Sequence, residues 1–165
     1  MTVESKSNQQ IDYLYDPLCG WCYGASPAVQ RLAAAGIELH MIPTGLFSGV
    51  GAVAMGPDFK YMAQANDARI ARQSRQTFSD AYFANVLGAT NGVVDSGPAT
   101  LMLTAVHLTE PEREFEALQL IQEERYVKGG DITHADPLDR LMRRAGFSAA
   151  ADLLRDDADL VVQAS

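Results

Sequence analysis

The spacing of apolar positions changes character once along this chain. Ile11, Tyr13, Leu14 and Tyr15 form a β-prone run, broken only by Asp12 and closed by Asp16-Pro17, which predicts a first strand. Helical spacing follows from about Gly20 to Ala35, with Gly36 as the residue just past the end. Pro27 lies inside that stretch, and its missing backbone N–H predicts a kink. Ile37 to Ile42 alternates, with Ile37, Leu39 and Met41 on one face, and predicts a second strand. Strand, helix and strand in this order imply a right-handed parallel crossover.

After Pro43 the alternation stops. Thr44 to Pro57 is rich in glycine and small residues and reads as a loop, with Leu46, Phe47 and Val50 as its apolar contacts. From Asp58 onward the period is helical. One amphipathic segment covers about Asp58 to Leu87, with a break expected near Asn66, and Gly92 to Gly97 reads as a turn. Ser96 and Pro98 start a helix reaching about Leu108. Glu110 to Lys128 follows, with Phe115, Leu118, Ile121 and Gln122 at helical spacing and Gly129-Gly130 as the stop. Asp136 is expected to cap a short helix with Pro137 at its first position, running to Ala145 before Gly146. A last helical stretch begins at Ser148 and runs through Leu154 toward Gln163. The sequence contains no internal repeat and no low-complexity linker. The methionines, Met55, Met62, Met102 and Met142 among them, read as core filler.

Bulk composition narrows the function classes. With 47% apolar and 21% charged residues, the 165-residue chain has enough material for one domain carrying a sizeable insertion. A net charge of -8 argues against nucleic acid as a partner. The opening Met1 to Gln10 stretch is polar and lacks the apolar core of a signal peptide, and no run of 18 apolar residues occurs, so no membrane contact is expected. The expected compartment is the cytoplasm. Thiols there are kept mostly reduced, so an isolated cysteine pair reads as catalytic or sensing rather than structural.

The chain has two cysteines, and they stand two residues apart in Cys19-Gly20-Trp21-Cys22, between the first strand and its helix. Sites of open α/β sheets collect at that edge. A helix start behind the first sulfur favours its thiolate through unpaired N–H groups and the helix dipole. Other uses of two cysteines fit less well. A metal clip needs a second ligand pair, and His40, His107 and His134 are scattered. Haem attachment needs histidine where Tyr23 stands. A structural disulfide in so short a loop restrains little of the unfolded chain. Two inert core thiols are the remaining plain reading.

The stretch Tyr15-Asp16-Pro17-Leu18-Cys19-Gly20-Trp21-Cys22-Tyr23-Gly24 resembles the active-site segment of the DsbA-like branch of the thioredoxin superfamily, in its cytoplasmic protein-disulfide-isomerase type. Asp67-Ala68-Arg69-Ile70-Ala71, Asp95-Ser96-Gly97-Pro98-Ala99 and Arg125-Tyr126-Val127-Lys128-Gly129-Gly130-Asp131-Ile132 resemble the same family, so the similarity spans nearly the whole chain. The resemblance implies an α/β, thioredoxin-like fold with a large all-helical insertion. On this reading residues 1–10 are a polar tail, 11–46 are the first part of the thioredoxin-like domain and 47–165 are the helical insertion. Family members return to two further strands and a final helix, the first of those strands preceded by a cis-proline. This sequence stops at Ala164-Ser165, about where that strand begins, and none of its seven prolines suits the cis position. The C-terminal strands and helix are therefore expected to be missing, and a second copy of the chain is an expected means of completing the sheet, since two strands alone leave exposed edges.

Geometry and resemblance together make Cys19 the attacking thiolate and Cys22 the resolving thiol of a redox-active disulfide, with no bound cofactor and no metal. Gly20 and Trp21 bring no charge, so the Cys19 pKa is expected to be only moderately lowered, nearer about 7 than about 3.5. Pro17, Gly20, Trp21, Tyr23 and Phe47 are the candidate loop and substrate contacts; Tyr23 and Phe47 read equally well as ordinary packing. The buried acid of thioredoxins has no counterpart here, because Tyr13 stands at that position, and His40 reads as structural. Arg69, Arg72 and Arg75 form a basic stripe, either a solvated face or an attraction for the carboxylates of glutathione as co-substrate. The leading function is a thiol–disulfide oxidoreductase or disulfide isomerase acting on protein or small-molecule disulfides. Two alternatives stay open: a glutathione-dependent isomerase or transferase of the kappa-class or chromene-carboxylate isomerase type, whose relatives place a serine at the site, and a truncated, non-catalytic interaction module.

Overall fold

The computed structural model describes residues 9–156. Strand β1 (Gln10–Tyr15) pairs in parallel with β2 (Glu38–Pro43), in a register that sets Tyr13 beside Met41 and Asp12 beside His40. Helix α1 (Gly20–Ala34) makes the crossover between them, and the chain leaves it through Gly36 at φ +83°. Alternation sorts the strand residues as expected: Tyr15 and Met41 are buried, whereas His40 is exposed and meets Asp12 at 2.9 Å on the neighbouring strand.

Pro27 does not end α1. Its missing N–H leaves the Tyr23 carbonyl without its helical partner, and the Gln76 side chain supplies one, donating from Nε2 at 3.0 Å. That bond ties α1 to the chain just beyond α2 (Pro57–Ser74). The two helices also approach closely. A Cβ on Gly24 would lie 2.5 Å from Ile70 Cγ2, and one on Gly20 would lie 3.1 Å from Ile70 Cδ1.

Several expected boundaries are corrected. Helix α2 passes through Asn66 unbroken and ends at Arg75, which adopts φ 62°. Ser74 is the local cause: its hydroxyl donates to the Ile70 carbonyl at 2.8 Å and accepts from the Gln76 N–H at 3.1 Å, turning the chain out of the helix. The chain resumes helix with Ser79, whose Oγ accepts the Tyr82 N–H, and continues as a π-helical stretch, Tyr82–Leu87. The loop after Pro43 holds a 3-10 turn (Gly49–Gly51) and a two-residue strand β3 (Val53–Ala54). Strand β3 pairs antiparallel with β4 (Val93–Val94), which occupies part of the expected Gly92–Gly97 turn. So short a ribbon has no period to read in sequence; it is fixed by burial of Val94 and by the Met55 N–H bond to the Gly92 carbonyl.

Helix α3 (Gly97–Thr109) runs through the middle of the helical part, burying Ala99, Met102, Leu103, Ala105 and Val106 against α4 (Glu114–Tyr126), α5 (Ala135–Arg144) and α6 (Ser148–Asp156). A 3-10 turn at Pro111–Arg113 precedes α4, where one continuous helix from Glu110 was expected. His134, not Asp136, stands at the cap position of α5, which places Pro137 in the first turn rather than at its first residue. The continuation of α6 toward Gln163, and most of the N-terminal tail, lie outside the described residues.

Candidate active site

Cys19 is the residue just before α1, in extended backbone at φ -78° and ψ 115°, and Cys22 follows one turn later. Both are free thiols and half-buried. The Cys19 thiol is lowered to about 6, first because the Cys22 thiol donates a hydrogen bond to it and next because the N–H groups of Cys22 and Trp21 point at its sulfur; burial and Asp16 oppose this. Cys22 moves the other way. Its proton is held by the hydrogen bond to Cys19 and by burial, and its pKa lies well above the ordinary thiol range. One sulfur is thus a stable thiolate at neutral pH and its neighbour is the proton donor that stabilises it.

The loop carrying Cys19 is fixed by a carboxylate. Asp16 is 1% exposed, and its Oδ1 accepts the Leu18 N–H at 2.8 Å. Its Oδ2 accepts the Ser96 hydroxyl at 2.7 Å and the Phe47 N–H at 3.1 Å. Three segments distant in sequence meet on this one group. Tyr126 adds a fourth, donating its hydroxyl to the Leu18 carbonyl at 2.7 Å. Neither Asp16 nor Ser96 nor Tyr126 announces this in sequence, although each lies in a segment that carried the family resemblance.

The expected site residues separate into two groups. Trp21 is 43% exposed, and the Arg69 guanidinium stands 5.7 Å from its ring. Together with Gly24, Pro27, Arg31, Ile70 and Gln73 it lines a groove of about 330 Å³ between α1 and α2, beside the dithiol. Phe47 is half-buried and packs edge-on against Phe59. Pro17 and Tyr23 face inward. Tyr23 stacks on Tyr126 at 4.6 Å, meets Phe78 edge-on at 5.4 Å and donates its hydroxyl to the Thr77 carbonyl, which is a packing role. Gly20 sits where α2 comes nearest: a Cβ there would be 3.2 Å from Asp67 Oδ1. Asp67 is itself 4% exposed, and burial pushes its carboxyl up to about 6 despite the Tyr82 hydroxyl bond at 3.0 Å and the nearby Arg125 charge. Of the basic stripe, Arg69 reaches the site, while Arg75 turns off the helix. Among the described residues no cluster of three metal-ligating side chains occurs, and no helix is long and apolar enough to cross a membrane.

No protein-family profile and no curated protein sequence matches the chain. Solved structures do. The cytosolic disulfide reductase DsbM from Pseudomonas aeruginosa superposes with a TM-score of 0.80 at 30% identity, over 94% of this chain and 72% of that one. A structure of the same reductase with glutathione gives 0.78, also at 30% identity, over 93% and 74%. A candidate protein disulfide isomerase from Nitrosomonas europaea shares the fold at 0.77 and 23% identity, over 96% and 74%. With a CxxC pair at the start of α1, a parallel strand–helix–strand unit around it and a helical block packed over it, the chain belongs to the DsbA-like branch of the thioredoxin superfamily.

Proposed function

We propose that this protein is a cytosolic thiol–disulfide oxidoreductase that reduces disulfides, with Cys19 as nucleophile and Cys22 as resolving thiol. The observation that carries the reading is the split between the two sulfurs, a thiolate at Cys19 and a held proton at Cys22. Cys19 attacks a substrate disulfide, forming a bond from its Sγ to one substrate sulfur and expelling the other as a thiolate. The mixed disulfide no longer carries a charge at Cys19, so the bond and the repulsion that held the Cys22 proton both disappear. Cys22 then loses that proton and attacks Cys19 Sγ, releasing the second substrate thiolate and leaving a Cys19–Cys22 disulfide. Two electrons have passed to the substrate, and an external thiol must return them.

Glutathione is the proposed source of those electrons, two molecules giving one oxidised glutathione per cycle. Arg69 beside the exposed Trp21, and Arg31 on the same groove, give its carboxylates cationic partners. The glutathione-bound structure of the Pseudomonas aeruginosa reductase supports this choice. Residues 11–46 and 47–165 are proposed as the redox unit and the helical part that shapes its groove. A second copy of the chain is proposed as a partner for the two-stranded β1–β2 sheet. The serine-using isomerase reading is not favoured, because both thiols are present and coupled.

Substitution separates the two roles. Cys19→Ser should abolish turnover of a small disulfide coupled to glutathione. Cys22→Ser should instead accumulate a mixed disulfide at Cys19, visible as a mass increment removed by dithiothreitol. Trapping at Cys22 in the Cys19→Ser protein, with none in the reverse variant, would overturn the assignment.

A further inference from the structure

A second cavity, of about 490 Å³, is lined from Met55, residues 85–95, Arg125 and residues 129–134, and none of Cys19, Trp21 or Cys22 lines it. Arg125 forms part of its wall. That side chain is 3% exposed, and its Nε is buried with no hydrogen-bond partner. The guanidinium lies by two aromatic rings, Tyr82 at 5.9 Å and Tyr126 at 5.7 Å from the ring centroids, and donates a hydrogen bond to the neutral Tyr126 hydroxyl. Asp67 is the carboxylate that feels its charge, but no carboxylate stands within ion-pair distance of it among the described residues. A buried arginine ordinarily has such a partner, because taking its charge out of water is unfavourable unless an opposite charge offsets it.

The rest of the wall indicates what would complete it. Asn91, Thr133 and His134 supply polar groups, and Met55, Val86 and Val93 supply an apolar side. Two carboxylates also line the cavity, and both are already occupied. Asp131 accepts from the Thr133 N–H and hydroxyl at 2.8 and 2.6 Å and lies 2.8 Å from His134 Nδ1. Asp95 accepts the Gly97 N–H at 2.8 Å. Their charge disfavours a doubly charged anion such as phosphate but leaves room for a single carboxylate, whose two oxygens match the guanidinium fork.

We propose that this cavity binds a small organic monocarboxylate, its carboxylate on Arg125 and its apolar body against Met55, Val86 and Val93. The site is separate from the dithiol and does not depend on the redox reading. The probe is benzoate, with benzamide as its neutral counterpart and inorganic phosphate at matched ionic strength, followed by amide NMR on the full chain. Benzoate should shift the amides of Gly92, Gly129 and Thr133 saturably below about 10 mM, with Trp21 unmoved, and the other two probes should not. Arg125→Met should remove the response. Asn85→Trp, at the exposed rim, should block it with the buried arginine and the fold intact, and so decides the matter if the first variant fails to fold. Absence of a saturable shift, equal binding of benzamide or phosphate, shifts centred on Trp21, or an undiminished response in Asn85→Trp would each overturn the proposal.

Discussion

The chemistry of this protein is set at single residues by who donates to whom. Cys19 is a thiolate because three donors converge on its sulfur and only burial and Asp16 oppose them. With its pKa at about 6, its alkylation rate should rise with pH to a midpoint near that value and level off above about pH 7. Cys22→Ala removes the strongest of the donors, so the midpoint should move up toward the ordinary thiol range. Stopped-flow alkylation across pH measures both. An unchanged midpoint in Cys22→Ala would mean that the helix N–H groups alone set the thiolate. The position of Cys19 and Cys22 was legible because CxxC between strand and helix is a local signal. Asp16 was not legible as the anchor of the loop, because its partners Phe47 and Ser96 lie 31 and 80 residues away. Nothing in local sequence marks a carboxylate as one that two such distant groups will find.

Elements tell the same story of local against distant causes. Strand β1, helix α1 and strand β2 follow from alternation, helical spacing and Gly36, all contained in short windows. The end of α2 does not, because Ser74, Gln76 and Tyr23 must meet before the chain turns at Arg75. The β3–β4 ribbon is likewise a pairing across 39 residues, from Ala54 to Val93. The contact between α1 and α2 has its own test in Gly24. A methyl there would stand 2.5 Å from Ile70 Cγ2, on a branched and buried side chain, so the packing between the helices must shift. Gly24→Ala should cost about 1–3 kcal/mol of stability and widen the groove beside Trp21. Denaturant unfolding checks the cost; a loss below about 0.5 kcal/mol would show that the helices separate freely.

Across the whole molecule, the helical part and the redox loop are joined by a buried layer of Asp67, Tyr82, Arg125 and Tyr126. Asp67 carries a stability consequence. Its folded pKa, at about 6, is above its ordinary value of 3.8, so the folded state holds its proton more tightly than the unfolded one. That contribution is complete below about pH 4 and is lost as pH rises through about 6. Asp67→Asn should flatten this part of the pH–stability curve, gaining on the native protein by on the order of 1–3 kcal/mol between pH 4 and pH 7. Urea unfolding at the two values measures it, and parallel curves would contradict the burial argument. The family and the general layout were readable from four short segments spread along the chain. The layer that binds them was not, since each member is an ordinary core or surface type until packing brings them together.

The most direct test of the central claim is a redox titration of the dithiol. The protein is equilibrated across glutathione buffers, free thiols are trapped by alkylation and the intact mass is read. A single cooperative two-electron step at Cys19 and Cys22 is predicted, with a potential between about -270 and -120 mV and toward the reducing end. Thiols that stay unreactive in the folded protein, or that oxidise one at a time without a step, would contradict the account.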